Sequence, residues 1–557
     1  MKPKPIVFGL AMAALLFAVL LPPEAFSEGK VAVLLCATFA FFIAVYERWV
    51  DRRYLGIGLI VFAILIAHSL ILSVDVYRSV EFVSVLWIYY ALIGFFLYYG
   101  YDPVKPLAVS MVVLSAAVSF YGIYQYFWGF EELSKLILHS GSDKIVTEPL
   151  LQRVATHRVF STFALPGTLW GFLVMAIPFH FELWNKEKKI HWRNFVLVAS
   201  GVALLTTGFL TRSFGFLVGL LTLTLVWLFR HHRRMLWNRL SIVLIALGAL
   251  GVSFYSARTG VIEGSNPAVL RFANWISAWS IFYMHPLGTG LNTFGVMYPR
   301  YMLTGANETQ YTHNSMLQLT SELGFVAVAA ALIALLFAVK RWSRDVQPKI
   351  AQREWVLLAL AVWCIHNLID IDIYFASVGS IGAILVGTLL RKPKDSASTS
   401  VASTSRTGNV LVGLVGLTSL AMCVFAGLVE VSTELQHRSQ MERDNLKLKE
   451  ANASLRLART IMPLDSSLFH ESGDVEFEMS QRLHDPTYLT AAEESFDRAI
   501  KLSPYKVGPH QGRALCFTAR RNMDAALREI RIAQTLYPDS GPVQAIARLI
   551  EKNAAAQ

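Results

Sequence analysis

The sequence predicts an all-α protein: a polytopic bundle of about twelve to thirteen transmembrane helices, with a large loop and a C-terminal tetratricopeptide-like helical domain. Three observations support this. Of 557 residues, 54% are hydrophobic and only 16% are charged, which excludes an ordinary soluble globular protein. Several segments approach 20 apolar residues, the length that crosses a hydrocarbon core of about 30 Å. A repeat with a helical pattern appears only in the tail.

Thirteen apolar segments are predicted to span the membrane. The segment from Leu55 to Val74 is typical, because it contains no formally charged residue. The first segment follows Lys2 and Lys4 and is similar to a signal peptide, but the many spans behind it favour a retained helix. The predicted spans are residues 6–22, 31–46, 54–74, 82–100, 104–128, 161–181, 194–210, 213–229, 239–256, 315–339, 354–370, 373–390 and 409–430.

The connections between the spans predict the orientation. Every second connection except "YDPVK" is rich in Lys and Arg, as in "ERWVDRR", "NKEKKIHWR", "RHHRRMLWNR" and "KRWSRDVQPKIAQR". Because cytoplasmic loops carry such an excess, we expect a cytoplasmic N-terminus. The opposite, periplasmic side then holds the 129–160 loop, the "TRS" turn, the 257–314 loop and the "HNLIDID" turn. These basic connections also explain the net charge of +11 without nucleic-acid binding.

Three regions follow from this pattern. Residues 1–430 form the membrane domain, residues 391–408 within it are a cytoplasmic Ser/Thr-rich linker, and residues 431–557 are a periplasmic helical tail. The tail is predicted to be periplasmic, because the last span begins after a cytoplasmic linker and ends on the opposite side of the membrane.

The tail contains a repeat. Ala499 and Ala533 are 34 residues apart, as are Pro504 and Pro538, and an earlier copy places Pro463 41 residues before Pro504. Small residues at fixed helical positions and a proline after the second helix are typical of tetratricopeptide repeats. A generic helical hairpin is the alternative. Such surfaces usually bind proteins or peptides, so we expect a protein partner for the tail.

His313 is the central polar residue of the large loop. It lies in "TQYTHNSMLQLTSELG", directly before an apolar helix. Thr312, Asn314 or Ser315 can cap that helix, so a histidine there needs no function. A working base and a helix-start residue both fit the local sequence.

Charged residues on the predicted outer face require a reason. Arg212 lies between two spans, and Arg271 begins an amphipathic stretch with Phe272 and Trp275 that resembles a helix on the membrane surface. Contact with lipid head groups is the plain alternative for each arginine. Glu322, His366, Asp370 and Asp372 lie near apolar spans, where acidic groups are costly and usually paired.

The order of these motifs resembles the O-antigen ligase and polysaccharide polymerase superfamily of bacterial inner-membrane glycosyltransferases. The motifs are "RVFSTFALPG", "TRS", "RFANWISAWSIFYMHPLGTGLNTF", "THNSMLQLTSELGF" and "HNLIDIDIYF". The resemblance covers about residues 150–390, and the earlier spans match only in hydrophobicity. This chain has Ser213 where the family often has glycine, and Leu165 before Pro166 where the family usually has asparagine.

The resemblance implies a site and a reaction. The family's essential loop arginine and histidine match Arg271 and His313, and its arginine between two central spans matches Arg212. The implied reaction moves a glycan from a polyprenyl-diphosphate carrier to a hydroxyl acceptor. We also expect substrate contacts from neighbouring residues, namely Arg153, Arg158, Trp275, Asn314, Glu322, His366 and Asp370.

The residue types suit this chemistry. Guanidinium groups bind phosphate oxygens in pairs, which fits a diphosphate leaving group. A histidine, whose unperturbed pKa is about 6.5, can accept a proton from a sugar hydroxyl. No HExxH motif and no clustered Cys/His set occurs on the outer face, so neither a metal nor a cofactor is implied.

The sequence does not decide the identity of the acceptor. A lipid A–core sugar would define a ligase, a second lipid-linked glycan a polymerase, and a protein hydroxyl an oligosaccharyltransferase. The expected partners are therefore an undecaprenyl-diphosphate-linked glycan, one of these acceptors and membrane lipids. A transporter or flippase is a different class, but transporter sites lie near the bilayer midplane and not on one face.

Overall fold

The protein is almost entirely α-helical. The computed structural model describes residues 5–140, 148–184, 192–213, 215–216, 218–221, 223, 267–330, 353–391 and 406–555. Over these ranges the chain forms helices and connecting turns and no β-strand. The predicted all-α fold is thereby confirmed.

The membrane domain contains fifteen of the helices in the described ranges, and six of them are long and apolar enough to cross a membrane: α2, α3, α4, α5, α9 and α15. Their bounds are α1 Pro5–Leu20, α2 Ser27–Tyr46, α3 Arg52–Leu72, α4 Val76–Tyr98, α5 Val104–Tyr124, α6 Phe130–Ser140, α7 Glu148–Ala155, α8 Pro166–Leu183, α9 Trp192–Leu210, α10 Pro267–Met284, α11 Phe294–Tyr301, α12 Ser315–Leu323, α13 Glu354–His366, α14 Ala376–Leu389 and α15 Arg406–Asp444. This agrees with a polytopic membrane protein.

Two predicted spans differ from the helices of the structure, one in where the helix begins and the other in where it breaks. The span expected at 161–181 becomes helical only at Pro166, because proline disfavours the helical conformation in the residue before it. The span expected at 315–339 breaks at Gly324, whose φ is +60°. The Phe325 N–H donates to the Pro286 carbonyl (3.0 Å) at this break, so the large loop packs against the interrupted helix.

The last membrane helix is longer than the predicted span 409–430. Helix α15 contains 39 residues and continues to Asp444. At 1.5 Å per residue it extends over roughly 58 Å, well beyond a hydrocarbon core. The predicted spans 213–229 and 239–256 lie mostly or wholly outside the described residues, as does the linker 391–408 except for its two ends.

The helices of the membrane domain pack around α4, α8 and α14. Helix α14 packs on α4 and α1, α8 packs on α13 and α5, and α5 also packs on α9. Trp87 and Trp170 are fully buried in this core. The packing brings the ends of α8, α9 and α13 to one place, where the polar site described below is formed.

The tail is a series of antiparallel helices. They are α16 Leu448–Ile461, α17 Ser466–Leu483, α18 Pro486–Leu502, α19 Val507–Ala519, α20 Met523–Leu536 and α21 Gly541–Ala555. Pro463, Pro504 and Pro538 follow the ends of α16, α18 and α20, as the repeat pattern predicts. Assignment to the tetratricopeptide type stays a prediction.

The tail packs back on the membrane domain. The buried carboxylate of Asp75, at the start of α4, accepts a hydrogen bond from Ser466 Oγ (3.2 Å) and lies 3.6 Å from Lys506 Nζ. Tyr537 donates to Glu308 Oε1 (2.7 Å), which lies in the large loop. The tail therefore contacts both the start of α4 and the loop that leads to His313.

Candidate active site

The site is built from the ends of helices and the turns between them. The connection between α13 and α14, residues 367–375, carries Asp370 at its middle. The Ser315 N–H donates to the carbonyls of Asn367 (2.9 Å) and Asp370 (3.2 Å), and Ser315 Oγ donates to Asn367 Oδ1 (2.7 Å). These bonds fix the start of α12, and with it His313, against the 367–375 connection.

Asp370 joins two residues that are distant in sequence. Its Oδ1 atom lies 3.3 Å from His313 Nδ1, and its Oδ2 atom lies 3.7 Å from the Arg271 guanidinium. The Ile371 N–H also donates to Oδ1 (3.0 Å). The Asp370 side chain is 4% exposed and that of His313 is 29% exposed. The histidine thus has an open edge while its carboxylate partner is enclosed.

The ionisation of Asp370 depends on these partners. Burial by itself would raise the pKa of Asp370, but the hydrogen bond and charge of His313 and the charge of Arg271 outweigh it. The pKa of this carboxyl group is held well below its usual range. Asp370 is therefore a buried anion, and removal of Arg271 would leave a charge that is costly to bury.

Three arginines surround this pair. Arg158 Nε donates to the Thr211 carbonyl (3.3 Å), and Arg212 donates to the Thr156 carbonyl (3.0 Å), so the two turns hold each other. Burial lowers the pKa of Arg158, and the positive charges of Arg271 and Arg212 lower it further. We call Asp370, His313, Arg271, Arg158 and Arg212 the Asp370 cluster. It concentrates positive charge, which suits an anionic ligand.

Two residues of the Asp370 cluster have a strained backbone. Arg212 has φ +46° and His313 has φ +54°. Residues other than glycine rarely adopt this left-handed conformation, and such strain is common at functional sites. Asn314 then caps α12, because its Oδ1 accepts the N–H groups of Met316 (3.1 Å) and Leu317 (3.0 Å). Capping is thus the task of Asn314, which leaves the His313 ring available.

Trp275 also lies beside His313. Its indole Nε1 donates to the His313 carbonyl at 3.4 Å. Helix α10 carries Arg271 and Trp275. Trp279 and Tyr283 of the same helix are largely exposed, and so is Leu287 just beyond its end. This exposed apolar surface is consistent with the prediction of an amphipathic helix at a membrane surface.

Glu322 occupies a separate buried network. Its carboxylate accepts hydrogen bonds from the N–H groups of Asn292 (2.7 Å) and Phe294 (3.1 Å) and from Tyr374 Oη (2.7 Å). Gln318 Nε2 is a fourth donor, at 3.2 Å. These partners organise the loop around residues 288–294, and substrate contact by Glu322 stays a prediction.

His366 is also enclosed, and it pairs with Asp372 and not with Asp370. His366 Nδ1 lies 2.7 Å from Asp372 Oδ2, and both side chains are 1% exposed. The sequence places Asp372 near an apolar span, where an acidic group is expected to have a partner, but it does not identify that partner. The two acidic residues of "DID" signal a polar cluster at this turn and leave open which histidine each one meets.

Arg153 lies at the edge of the Asp370 cluster. It donates to the Ala164 carbonyl (2.6 Å) and lines a cleft of about 940 Å³ with Tyr121, Phe160 and Tyr311. The cleft runs beside residues 160–165, immediately before the first turn of α8 that touches Asp370. It provides an apolar surface with one cationic group next to the cluster. Within the described ranges, no group of three or more His, Cys, Asp or Glu side chains is placed to hold a metal ion.

Gly167 and Gly171 were missed by the motif analysis. A methyl group on Gly167 would stand 2.4 Å from Asp370 Oδ2, and one on Gly171 would stand 2.7 Å from Asp372 Oδ1. The two glycines are one helical turn apart on α8, so they let both carboxylates approach the helix backbone. Their i, i+4 spacing in "PGTLWG" was the available signal.

These features define a multi-pass helical membrane protein with a basic site around a buried aspartate–histidine pair. The model of the family described as O-antigen ligase matches residues 195–332. This segment contains Arg212, Arg271 and His313, and the match confirms the predicted resemblance to the O-antigen ligase superfamily. No curated protein matches the chain significantly.

Proposed function

We propose that the protein is a glycosyltransferase that moves a glycan from a polyprenyl-diphosphate carrier to a hydroxyl acceptor. The observation that carries this proposal is the placement of one buried carboxylate, Asp370, between His313 and Arg271. It joins a base to a diphosphate-binding cation. The family match, which includes both His313 and Arg271, supports the same class of reaction.

The donor's diphosphate is the group on which negative charge develops. Arg271 and Arg212 bind its oxygens, and Arg158 adds a third positive charge nearby. Guanidinium forks suit this task because they bind phosphate oxygens in pairs. Fixed positive charge in a site shielded from water stabilises the departing diphosphate in the transition state.

The acceptor hydroxyl is activated by His313. Its Nδ1 atom faces Asp370 and carries the proton of that hydrogen bond, so Nε2 presents a lone pair. The acceptor oxygen attacks the anomeric carbon while its proton passes to Nε2. The bond from that carbon to the phosphate oxygen breaks, and the diphosphate leaves with the electron pair. Direct displacement inverts the anomeric carbon, and no metal takes part in this scheme.

The acceptor distinguishes three forms of the reaction. We place a lipid A–core sugar first, which makes the protein an O-antigen ligase of a bacterial inner membrane. A second lipid-linked glycan, giving a polymerase, comes next, and a protein hydroxyl comes third. Surface polysaccharide from a deletion strain separates the first two: loss of all long chains fits either enzyme, whereas one repeat left on the core indicates a polymerase.

The proposal is tested with detergent-purified protein and a labelled polyprenyl-diphosphate glycan. We expect transfer to the hydroxyl acceptor without a membrane gradient. Movement of the intact lipid-linked glycan across a vesicle membrane, with no transfer, would instead indicate a flippase and contradict the proposal.

The orientation belongs to the same proposal, with the Asp370 cluster and the tail in the periplasm. Alkaline phosphatase fused at Gln557 should be active, and a fusion at Ser398 in the linker should be inactive. The reverse pattern would place the site in the cytoplasm, where a periplasmic transfer cannot occur.

A further inference from the structure

Two aspartates of the 367–375 connection each pair with a histidine, and only one of these two histidines is partly exposed. Asp370 pairs with His313, whose side chain is 29% exposed. Asp372 pairs with His366, and both of these side chains are 1% exposed. The enclosed pair also has the shorter distance between nitrogen and oxygen, 2.7 Å against 3.3 Å. A pair so deeply buried does not meet a glycan directly.

The enclosed pair is wedged between α8 and the turn that carries Arg212. A methyl group on Gly171 of α8 would stand 2.7 Å from Asp372 Oδ1. A methyl group on Gly215 would stand 2.5 Å from His366 Nε2 and 3.4 Å from Ser213 Oγ. The His366 ring edge therefore rests on the backbone of the turn three residues after Arg212, with the Ser213 hydroxyl facing the same glycine.

The His366 edge that faces this turn has an unused hydrogen-bonding atom. Nε2 is buried and makes no hydrogen bond to any described residue. Nδ1 faces the Asp372 carboxylate, so Nε2 is the ring nitrogen left for a partner in the turn. Ser213 Oγ accepts the Gly215 N–H (3.2 Å), and a serine hydroxyl can both donate and accept hydrogen bonds. An unsatisfied buried nitrogen is costly, so a partner that reaches it stabilises the turn.

The turn needs such support. Arg212 has φ +46°, a left-handed conformation that is strained for a residue other than glycine. Ser213 and Gly215 are buried while Arg212 is exposed, so the turn presents the arginine outward from a buried base. That base is formed by the His366 ring.

We propose that Asp372 and His366 are positioning residues for Arg212. Asp372 holds the His366 ring, and the edge of that ring supports the turn at Gly215, beside the Ser213 hydroxyl. The 370–372 stretch thus organises both halves of the reaction: Asp370 holds His313 and Arg271, and Asp372 holds Arg212 through His366. The inference rests on the proposed binding of diphosphate by Arg212.

A double-mutant cycle tests the proposal with the labelled polyprenyl-diphosphate glycan as probe. We expect His366→Ala to raise the donor KM about tenfold while kcat changes less, because positioning of a binding group is lost. In an Arg212→Ala protein, His366→Ala should cause no further rise in the donor KM, because the effects of residues that act as a unit are not additive. In a His313→Ala protein, His366→Ala should still raise the donor KM about tenfold.

Two further variants keep the test independent of folding. Asp372→Asn and Ser213→Ala should each raise the donor KM in the same direction, with melting temperatures near that of the unaltered protein. Gly201→Ala, on α9 and away from the Asp370 cluster, is the control for a general effect on the fold, because among the described residues its methyl group meets a His180 carbon at 3.8 Å, an ordinary contact distance. This variant should change neither the donor KM nor the melting temperature.

The outcomes separate the two proposals. A full tenfold effect of His366→Ala in the Arg212→Ala background would overturn the positioning role alone. An Arg212→Ala protein with an unaltered donor KM would overturn diphosphate binding by Arg212, and the positioning role with it. Equal loss from Gly201→Ala and Asp372→Asn would show a general effect on the fold and also overturn the inference.

Discussion

His313 Nδ1 lies 3.3 Å from Asp370 Oδ1, although the two residues are 57 positions apart in the chain. The other oxygen of the same carboxylate faces Arg271 at 3.7 Å. If His313 is the base and Arg271 binds the diphosphate, as proposed, one buried anion holds both residues and they cannot move independently. Changes at Asp370 should therefore disturb both, whereas changes at His313 should disturb only the base.

Substitution of His313 tests its role as the base. His313→Ala should leave the donor KM nearly unchanged, because the arginines bind the diphosphate. Turnover should fall by a factor on the order of 10²–10⁴, the usual contribution of general base catalysis. The measurement is transfer by purified variants with normal thermal melts. Asp370→Asn is the comparison, and it should lower kcat and raise the donor KM together. A His313→Ala protein with near-normal turnover would make His313 a helix-start residue.

Arg271→Lys separates charge from geometry. Lysine keeps the positive charge but loses the planar fork that binds two phosphate oxygens. We expect weaker donor binding and slower transfer, each by about tenfold, with Asp370 still paired to a cation. Arg153→Lys at the edge of the cluster is the matched control and should have a smaller effect. If Arg271→Lys matches the unaltered protein in both quantities, the paired fork is not required.

Glu322→Gln distinguishes a structural role from substrate contact. The amide nitrogen cannot accept the backbone N–H groups that Glu322 now accepts. The free energy of unfolding should fall by about 1–3 kcal/mol, the cost of unsatisfied buried groups. Transfer per folded molecule should stay within a few-fold, since the network lies apart from the Asp370 cluster. Tyr374→Phe removes one donor and should destabilise less. A large loss of turnover at normal stability would favour substrate contact.

Glu24 gives a pH-dependent prediction. It lies between α1 and α2, accepts the Ser377 N–H (2.9 Å), and burial raises its pKa to about 7. A raised carboxyl pKa means that ionisation costs stability, so the penalty grows as pH rises from about 4.5 and is complete above about 7. At pH 8, Glu24→Gln should therefore have a higher melting temperature than the unaltered protein. Its free energy of unfolding should be larger by about 1–3 kcal/mol.

The pH dependence of this difference is the control for Glu24. At pH 5 the carboxyl group is mostly protonated in the folded protein, and the advantage of Glu24→Gln should be small. Thermal melts in detergent at pH 5 and pH 8 measure both. An advantage of equal size at the two pH values would mean that ionisation of Glu24 is not the cause.

The tail should stabilise the membrane domain in addition to any role in binding a protein partner. Lys506 lies 3.6 Å from the buried Asp75 carboxylate and donates to Ser466 Oγ (2.7 Å). Lys506→Met leaves that anion poorly compensated, so the free energy of unfolding should fall by about 3 kcal/mol. Lys501→Met is the matched control: Lys501 is exposed, and the loss of its surface pair should cost less than about 1 kcal/mol.

A truncation before α16 extends this prediction. If the contacts of the tail with Asp75 and Glu308 support the loop that leads to His313, the truncated protein should melt lower and transfer more slowly after purification. Full transfer by a stable truncate would mean that the tail serves only a partner. Equal destabilisation by Lys501→Met and Lys506→Met would also contradict the supporting role.

The sequence by itself determined the helical membrane fold. Apolar length fixes which segments cross a bilayer, because backbone groups inside lipid must be satisfied within one helix. The motifs around Arg212, Arg271 and His313 were also sufficient to predict the superfamily. The tail helices end where Pro463, Pro504 and Pro538 indicate, since proline cannot continue a helix. These are local properties of short stretches, and the sequence carries them directly.

The tertiary structure decided which polar residues meet. Nothing in the local sequence indicates that Asp370 serves His313 while Asp372 serves His366, because each pairing depends on how α8, α12 and α13 pack. The same packing separates Glu322 from the Asp370 cluster, and the packing of the tail against the start of α4 brings Lys506 to Asp75. Buried charges are stable only beside a partner, and the partners here come from distant parts of the chain. Their pairing is therefore a property of the packed bundle, which a single sequence does not reveal.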